Sequence, residues 1–128
     1  MDSDLTCEVD CIHPRAVRAA RLALVEAPPP ERTAGLFALL GDLTRFRLLS
    51  ALLPGELCVC DLAAATGVNR TTVSHQLRVL RDHRLVRRRR EGKVIYYALN
   101  DDHVGALLAM ANAHAAESSS PLQTRQSA

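Results

Sequence analysis

The sequence predicts a mainly α-helical fold with a small β-hairpin, in the arrangement of a winged helix-turn-helix. The composition favours helices, because 48% of the 128 residues are hydrophobic and only 3% are aromatic. A short helix, a glycine turn and a longer helix follow one another between residues 58 and 83, and a basic strand pair comes next. A chain of this length fits one domain with a modest core.

Three helices are predicted in the first half, each with a recognisable boundary. Pro14 suits the first position of the first helix, and Gly41 suits the end of the second. Thr44 is the predicted N-cap of the third helix, which Pro54 and Gly55 terminate. The second helix is expected to turn a leucine stripe inward, formed by Leu36, Leu39 and Leu40. The predicted spans are 14–26, 31–40 and 45–53.

The second half begins with the helix-turn-helix. Gly67 marks the turn, and Val73, Leu77 and Leu80 recur at helical spacing on the buried face of the second helix. Residues with strand propensity then flank a turn at 91–92, which predicts a two-stranded wing. The predicted helices span 58–66, 70–83 and 101–117, and the predicted strands span 86–90 and 93–99.

We expect three parts in the chain. Residues 1–13 are polar, carry two cysteines and lack periodicity, so they form a flexible metal-binding arm. Residues 14–117 form the winged helix-turn-helix domain with its dimerisation helices. Residues 118–128 are too poor in apolar side chains to pack and form a disordered tail.

The expected location is the cytoplasm. The first residues have no basic start followed by an apolar run, so they do not resemble a signal peptide. No apolar segment approaches the roughly 20 residues that cross a bilayer, and no membrane association is expected. Cysteines in this compartment stay reduced, which favours metal or redox roles for cysteine pairs.

The charge distribution points to a polyanionic partner. Residues 78–93 contain eight basic and two acidic side chains, a net +6, although the whole chain carries only +2. Charges of nearly one sign are not expected on an ordinary solvated face, so double-stranded DNA is the predicted partner. RNA bound by base stacking is not expected, because none of the aromatic residues lies in the helix 70–83.

Helix 70–83 has the properties of a DNA-reading element. Its apolar residues face inward, which leaves short polar and basic side chains for the major groove. The wing adds basic residues that contact phosphates and give affinity rather than sequence choice. The groove candidates are Arg70, Thr71, Thr72, Ser74, His75 and Arg78, and the wing candidates are Arg87, Arg88, Arg89, Arg90 and Lys93.

Four cysteines occur in two tight pairs, Cys7 with Cys11 and Cys58 with Cys60. Neither pair fills a tetrahedral thiolate shell alone, but together they supply four sulfurs for Cd(II), Pb(II), Zn(II) or Cu(I). Buried small hydrophobic residues are a poor explanation of two tight pairs. The spacings differ from the Cys-x-x-Cys of thioredoxin-like sites, although a reversible oxidation sensor stays an alternative.

A second set of candidate ligands lies in the last predicted helix: Asp101, His103, His114 and Glu117. The two histidines share a face but lie about 16 Å apart along the axis, at roughly 1.5 Å per residue. Two antiparallel copies across a two-fold axis can bring the sets together, with nitrogen and oxygen donors that suit Zn(II). The alternative is a solvated helix face with two incidental histidines.

Several motifs resemble the ArsR/SmtB family of metal-responsive winged-helix repressors. They are ELCVCDLA, GVNRTTVSHQLRVLRDHRLVRRRREGKVIYYAL and the DDH of the last helix with its later His and Glu. TCEVDC near the start is most similar to the cadmium-, lead- and zinc-responsive CadC branch. The resemblance runs from about Cys7 to Glu117.

The resemblance implies a homodimer that binds a palindromic operator when apo and releases it when metal binds. It further implies that Cys7 and Cys11 of one subunit join Cys58 and Cys60 of the other in one thiolate site. The C-terminal helix set matches the family's Zn(II) site at the dimer interface. Both ligand sets are present, so either can be regulatory, and His13 is a further candidate ligand.

Three other functions are weighed against this one. A constitutive DNA-binding protein with a structural metal would lose stability and DNA affinity together on chelation. A metal-buffering protein leaves the arginine-rich segment unexplained. An enzyme is not expected, because no nucleophile–base pair is recognisable and four thiolates leave no open metal position.

Overall fold

The computed structural model describes residues 5–117 of the chain. It divides into two compact units, one ending at Gly35 and the other beginning at Leu36, and the second helix crosses this boundary. The helices are α1 (Pro14–Glu26), α2 (Pro30–Leu40), α3 (Leu43–Ala51), α4 (Val59–Thr66), α5 (Arg70–Asp82) and α6 (Asp102–Glu117). The strands are β1 (Leu57–Cys58), β2 (Val86–Glu91) and β3 (Val94–Leu99).

In the first unit, α1 begins at Pro14, as predicted, because proline lacks the N–H that a first helical position leaves unpaired. No residue of α1 is buried. Leu24 and Val25 are 72% and 80% exposed. The helix therefore presents apolar side chains to solvent in the single chain.

The core of the second unit confirms the predicted helical periodicity. Val73, Leu77 and Leu80 of α5 are fully buried, and they pack with leucines of α3, α4 and α6. The predicted leucine stripe of α2 is partly buried against this core. Gly67 ends α4 with a φ of 76°, a left-handed conformation that glycine adopts at little cost, and it sets the turn into α5.

The sheet has three antiparallel strands in the order β1-β3-β2, where the sequence predicted two. The additional strand corrects the prediction that residue 58 begins a helix. Cys58 is instead extended, pairs with Tyr96 of β3 and serves as the N-cap residue of α4. A strand of two residues has too little pattern to be recognised, and its pairing partner is distant in sequence.

Other element boundaries also differ from the prediction. Asp42, and not Thr44, caps α3, because its carboxylate accepts the backbone N–H of Arg45 at 3.0 Å. Strand β2 extends through Glu91, so the hairpin turn lies at residues 92–93. The predicted disordered tail, 118–128, and the first four residues of the predicted arm lie outside the described residues. Among residues 5–117, no helix is long and apolar enough to cross a membrane.

Candidate DNA interface and metal-ligand sets

The outer face of α5 carries four of the predicted groove residues together. Thr71, Ser74, His75 and Arg78 are exposed and line one shallow depression of about 330 Å³. Their spacing of three, one and three residues puts them on one helical face, opposite the buried valine and leucines. Hydroxyl, imidazole and guanidinium groups on one face can donate to base edges in a major groove.

The other two predicted groove residues are placed differently. Arg70 is exposed at the first position of α5. Thr72 is half-buried, and its backbone N–H donates to the side chain of Asn69 at 2.9 Å. Asn69 is thus the N-cap of the helix, which the sequence analysis did not single out although Asn is a preferred cap residue.

A hydrogen-bond network fixes α5 against the helices before it. The guanidinium of Arg45 donates to the side-chain oxygen of Gln76 at 3.1 Å and to the carbonyl of Leu39 at 3.2 Å. Arg45 therefore joins the end of α2, the start of α3 and the middle of α5. Sequence reasoning missed this contact, because bonds between residues 31 positions apart leave no local pattern.

The wing exposes its basic side chains. Arg88, Arg90 and Lys93 form no ion pair with any other part of residues 5–117, so their charges are available to phosphates. Arg87 is also exposed and donates to the carbonyl of Asn100 at 3.3 Å. Within residues 5–117, the wing therefore carries basic side chains that have no ion-pair partner. It follows α5, with its hydrogen-bonding face, directly in the sequence.

Arg89 differs from its neighbours, because it is paired within the chain. Its Nε donates to the two carboxylate oxygens of Glu56 at 2.9 and 3.0 Å, and its Nη1 donates to Glu91 at 2.6 Å. Its guanidinium carbon lies 4.7 Å from the ring centroid of Tyr96. The bond from Arg89 lowers the pKa of Glu56, and the two carboxylates raise the pKa of Arg89. No local sequence pattern indicated this cluster.

All four cysteines are free thiols. In the first unit, Cys7 and Cys11 are exposed, and a hydrogen bond with Cys7 raises the pKa of the Cys11 thiol. In the second unit, Cys58 is half-buried and Cys60 is exposed in the first turn of α4.

Asp61 fixes the backbone at Cys58, the N-cap residue of α4. Its carboxylate accepts the backbone N–H of Cys58 at 3.2 Å, as part of a reciprocal capping box. The junction of β1 and α4, where Cys58 and Cys60 lie, is therefore held by a side chain of α4.

The predicted oxygen and nitrogen ligands are exposed, with Asp101 just before α6 and the other three within it. Asp101 Oδ1 lies 3.6 Å from His103 Nδ1 and accepts the backbone N–H of Val104 at 3.2 Å. The bond from Val104 is the main reason that the pKa of Asp101 is lowered. His114 and Glu117 lie in the last turn of the same helix.

Within the part of a single chain that the structure describes, no three potential ligands cluster into a metal site. Both predicted ligand sets take their donors from two copies of the chain, and they stay predictions.

Comparison with known families gives a consistent result. The family described as "Bacterial regulatory protein, arsR family" matches residues 42–88, from the N-cap of α3 into β2. The chain is 46% identical over 98 residues to the "Transcriptional repressor SmtB homolog" of Synechocystis sp., which covers 77% of this chain and 74% of that protein. It is 40% identical over 112 residues to the "Cadmium resistance transcriptional regulatory protein CadC homolog" of Staphylococcus aureus, over 87% of this chain and 92% of that protein.

Solved structures give the same fold. A fragment of Mb0332 from Mycobacterium bovis, titled a homodimeric winged helix-turn-helix DNA-binding domain, superposes with a TM-score of 0.64 at 34% identity. That match covers 76% of this chain and 85% of the fragment. The transcriptional repressor BigR from Xylella fastidiosa gives a TM-score of 0.61 at 29% identity, over 73% of this chain and 90% of that chain.

These matches confirm the predicted fold class and the predicted regulatory class, which is that of transcriptional regulators and not of enzymes. The similarity to the SmtB and CadC relatives extends well beyond the helix-turn-helix, over most of this chain and of both relatives. On this basis, the chain belongs to the arsR family of bacterial regulatory proteins.

Proposed function

We propose that this protein is a metal-sensing transcriptional repressor, which binds a palindromic operator as an apo homodimer and releases it on binding Cd(II), Pb(II) or Zn(II). One observation carries the proposal. Two free thiols, Cys58 and Cys60, lie at the start of the first helix of the same helix-turn-helix whose second helix exposes a DNA-reading face. The SmtB and CadC relatives, named as a transcriptional repressor and a cadmium resistance regulator, support the same conclusion.

The thiolate site takes sulfur from both subunits in this proposal. Cys7 and Cys11 of one subunit, with Cys58 and Cys60 of the partner subunit, would hold the ion. All four are reduced, and none is fully buried, so the donors fit a soft or borderline metal. His13, which follows the first pair and has no capping bond, is a further donor for the same ion.

The second set would hold Zn(II) across the dimer axis. Asp101 and His103 of one subunit would act with His114 and Glu117 of the other. The side chain of His103 is 98% exposed and the donors are nitrogen and oxygen, which fit tetrahedral zinc. Asp101 Oδ1 lies 3.6 Å from His103 Nδ1, so the two proposed donors of one subunit are neighbours at the start of α6.

Dimerisation accounts for the apolar side chains that a single chain exposes. Leu24 and Val25 on α1 and Met110 on α6 are each at least 72% exposed. Exposed apolar groups of this size on two helices are the surfaces that a second copy covers. The homodimeric Mb0332 fragment supports this assembly.

In this proposal, DNA binding uses both α5 and the wing formed by β2 and β3. Thr71, Ser74, His75 and Arg78 would read base edges in the major groove, and the unpaired wing residues Arg87, Arg88, Arg90 and Lys93 would contact phosphates. In the apo dimer, the two α5 helices would match successive major grooves, about 34 Å apart. Ligation of Cys58 and Cys60 together with the arm of the other subunit would favour a dimer that no longer matches both half-sites.

The test uses duplexes selected from a random pool by the apo protein. Operator affinity is measured with and without Cd(II), and ultraviolet absorption follows cadmium–thiolate bonds. We expect a strong thiolate band and loss of operator binding in the wild type, with both absent in Cys58→Ser. Operator affinity that is unchanged by saturating Cd(II) would exclude the switch. Operator affinity that falls when a chelator removes bound metal would indicate a constitutive DNA-binding protein with a structural metal.

A further inference from the structure

Each of the three guanidinium nitrogens of Arg89 donates a hydrogen bond within its own subunit. Glu56 accepts from its Nε and Nη2, Glu91 accepts from its Nη1, and Tyr96 covers one flat face at 4.7 Å. Bidentate pairing and stacking on an aromatic ring are the two geometries that arginine uses most effectively. A phosphate would have to compete with two carboxylates for this group.

The local charge opposes such an exchange. Two carboxylates surround one guanidinium, so the cluster carries a net −1 although it lies in the most basic segment of the chain. Arg88 and Arg90, on either side in β2, have no such partners within residues 5–117. Of the three adjacent arginines, Arg89 is therefore the one least able to attract DNA phosphate.

The same cluster joins the wing to the strand that carries Cys58. In the sheet, Cys58 is directly opposite Tyr96, and Tyr96 is directly opposite Arg89. Glu56 immediately precedes β1, so its bond with Arg89 spans the sheet from one edge strand to the other. A line of paired residues thus crosses the sheet from Cys58, a predicted metal ligand, through Tyr96 to Arg89 in the proposed DNA-binding hairpin.

We propose that Arg89 and Glu56 are positioning residues, which couple the position of the Cys58 strand to the orientation of the wing, and that Arg89 makes no phosphate contact. This inference rests on the proposed function, because the coupling matters only if metal and DNA oppose each other. Movement of β1 changes where Glu56 holds Arg89, and Arg89 in turn sets the angle at which Arg88 and Arg90 are presented.

The test compares Glu56→Gln, Arg89→Gln and the double variant with Arg90→Gln as the matched control from the same strand. Operator affinity is measured over a series of KCl concentrations, with and without Cd(II). We expect Glu56→Gln and Arg89→Gln each to reduce the cadmium-dependent change in affinity by about two- to fivefold, the range for an exposed ion pair. The double variant should be no worse than either single one, since the two residues act as a pair.

The salt dependence separates positioning from phosphate contact. Arg89→Gln should leave the slope of log affinity against log salt unchanged, whereas Arg90→Gln should flatten it by about one phosphate contact per subunit and keep the cadmium effect. A slope flattened by Arg89→Gln would overturn the proposal. Tighter apo binding by Glu56→Gln would overturn it too, since Glu56 would then merely compete with phosphate.

Amide hydrogen exchange is a further measurement, which tests the role of Glu56 apart from metal and DNA. Amide hydrogen exchange in β2 and β3 should become faster in Glu56→Gln while α5 stays protected, which tests the wing anchor without any metal. Unchanged exchange would contradict the anchor even in a well-folded variant. If the wild type itself keeps its operator in Cd(II), the proposed function fails, whereas the salt slopes and exchange rates still decide the role of Arg89.

Discussion

The side-chain oxygen of Asn69 lies 2.9 Å from the backbone nitrogen of Thr72 and accepts its hydrogen bond. This cap fixes the first turn of α5, the proposed DNA-reading helix. We expect Asn69→Ala to lower the free energy of unfolding by about 1 kcal/mol and to weaken operator binding, because the first turn frays. Asn69→Ser keeps a capping oxygen and should behave like the wild type in urea unfolding. Equal stability of the two variants would contradict the capping role.

Arg84 adopts a left-handed backbone conformation, with a φ of 61°, between α5 and β2. Side chains other than glycine pay roughly 1 kcal/mol for this conformation. Arg84→Gly should therefore be more stable than Arg84→Ala by about 1 kcal/mol in thermal or urea unfolding. The alanine variant is the matched control, since both variants lose the same charge.

Arg78 and Lys93 are expected to contribute to DNA binding in different ways. Arg78→Ala should cost about 1–3 kcal/mol on the selected operator and less on mismatched duplexes, because a base contact is lost. Lys93→Ala should weaken binding to all sequences alike and flatten the salt slope by about one unit per subunit, because a phosphate contact is lost. Competition assays with matched and mismatched duplexes over several salt concentrations test both. If Arg78→Ala weakened binding to matched and mismatched duplexes equally, as expected for Lys93→Ala, Arg78 would not read a base.

Asp101 has two roles that substitution can separate. Its carboxylate caps α6 through the backbone N–H of Val104 and is also a proposed zinc ligand. Asp101→Ser should retain most of the cap and lose zinc affinity, whereas Asp101→Ala should lose both, with about 1 kcal/mol of stability. Calorimetric zinc titration and urea unfolding of both variants distinguish the roles. Unchanged zinc affinity in Asp101→Ser would exclude Asp101 as a ligand.

Cadmium affinity should depend on pH in a predictable direction. Thiols bind the metal as thiolates, so binding releases protons, and the raised pKa of Cys11 increases the protons to be displaced. Apparent Cd(II) affinity should fall as the pH decreases, and the pH dependence should be less steep in Cys11→Ser. Titrations of the thiolate absorption band at several pH values test this. An affinity independent of pH would exclude the thiols as ligands.

Most of the fold was predictable because the buried residues of a helix recur every three or four positions in the sequence. The spacing of Val73, Leu77 and Leu80 identified the inner face of α5, and thereby also the outer face with Thr71 and Arg78. These residues lie within three turns of each other, so no knowledge of tertiary structure was needed.

The remainder depended on contacts between distant residues. Strand β1 consists of Leu57 and Cys58, and it is a strand only because β3 lies beside it. The ion pair of Glu56 with Arg89 joins residues 33 positions apart, so a run of arginines looked uniformly available in the sequence. The proposed metal sets take donors from two subunits, so their assembly depends on contacts beyond a single chain.

The brevity of β1 has a consequence for how the protein responds to its environment. Only two residue pairs, Leu57 with Tyr97 and Cys58 with Tyr96, join the backbone of this strand to β3, and the side chain of Glu56 adds an ion pair with Arg89. So short an edge can detach at a small fraction of the cost of global unfolding, while the buried leucines keep the helices assembled. The segment bearing Cys58 can therefore move while the core behind α5 stays packed, and the proposed response to metal needs that separation.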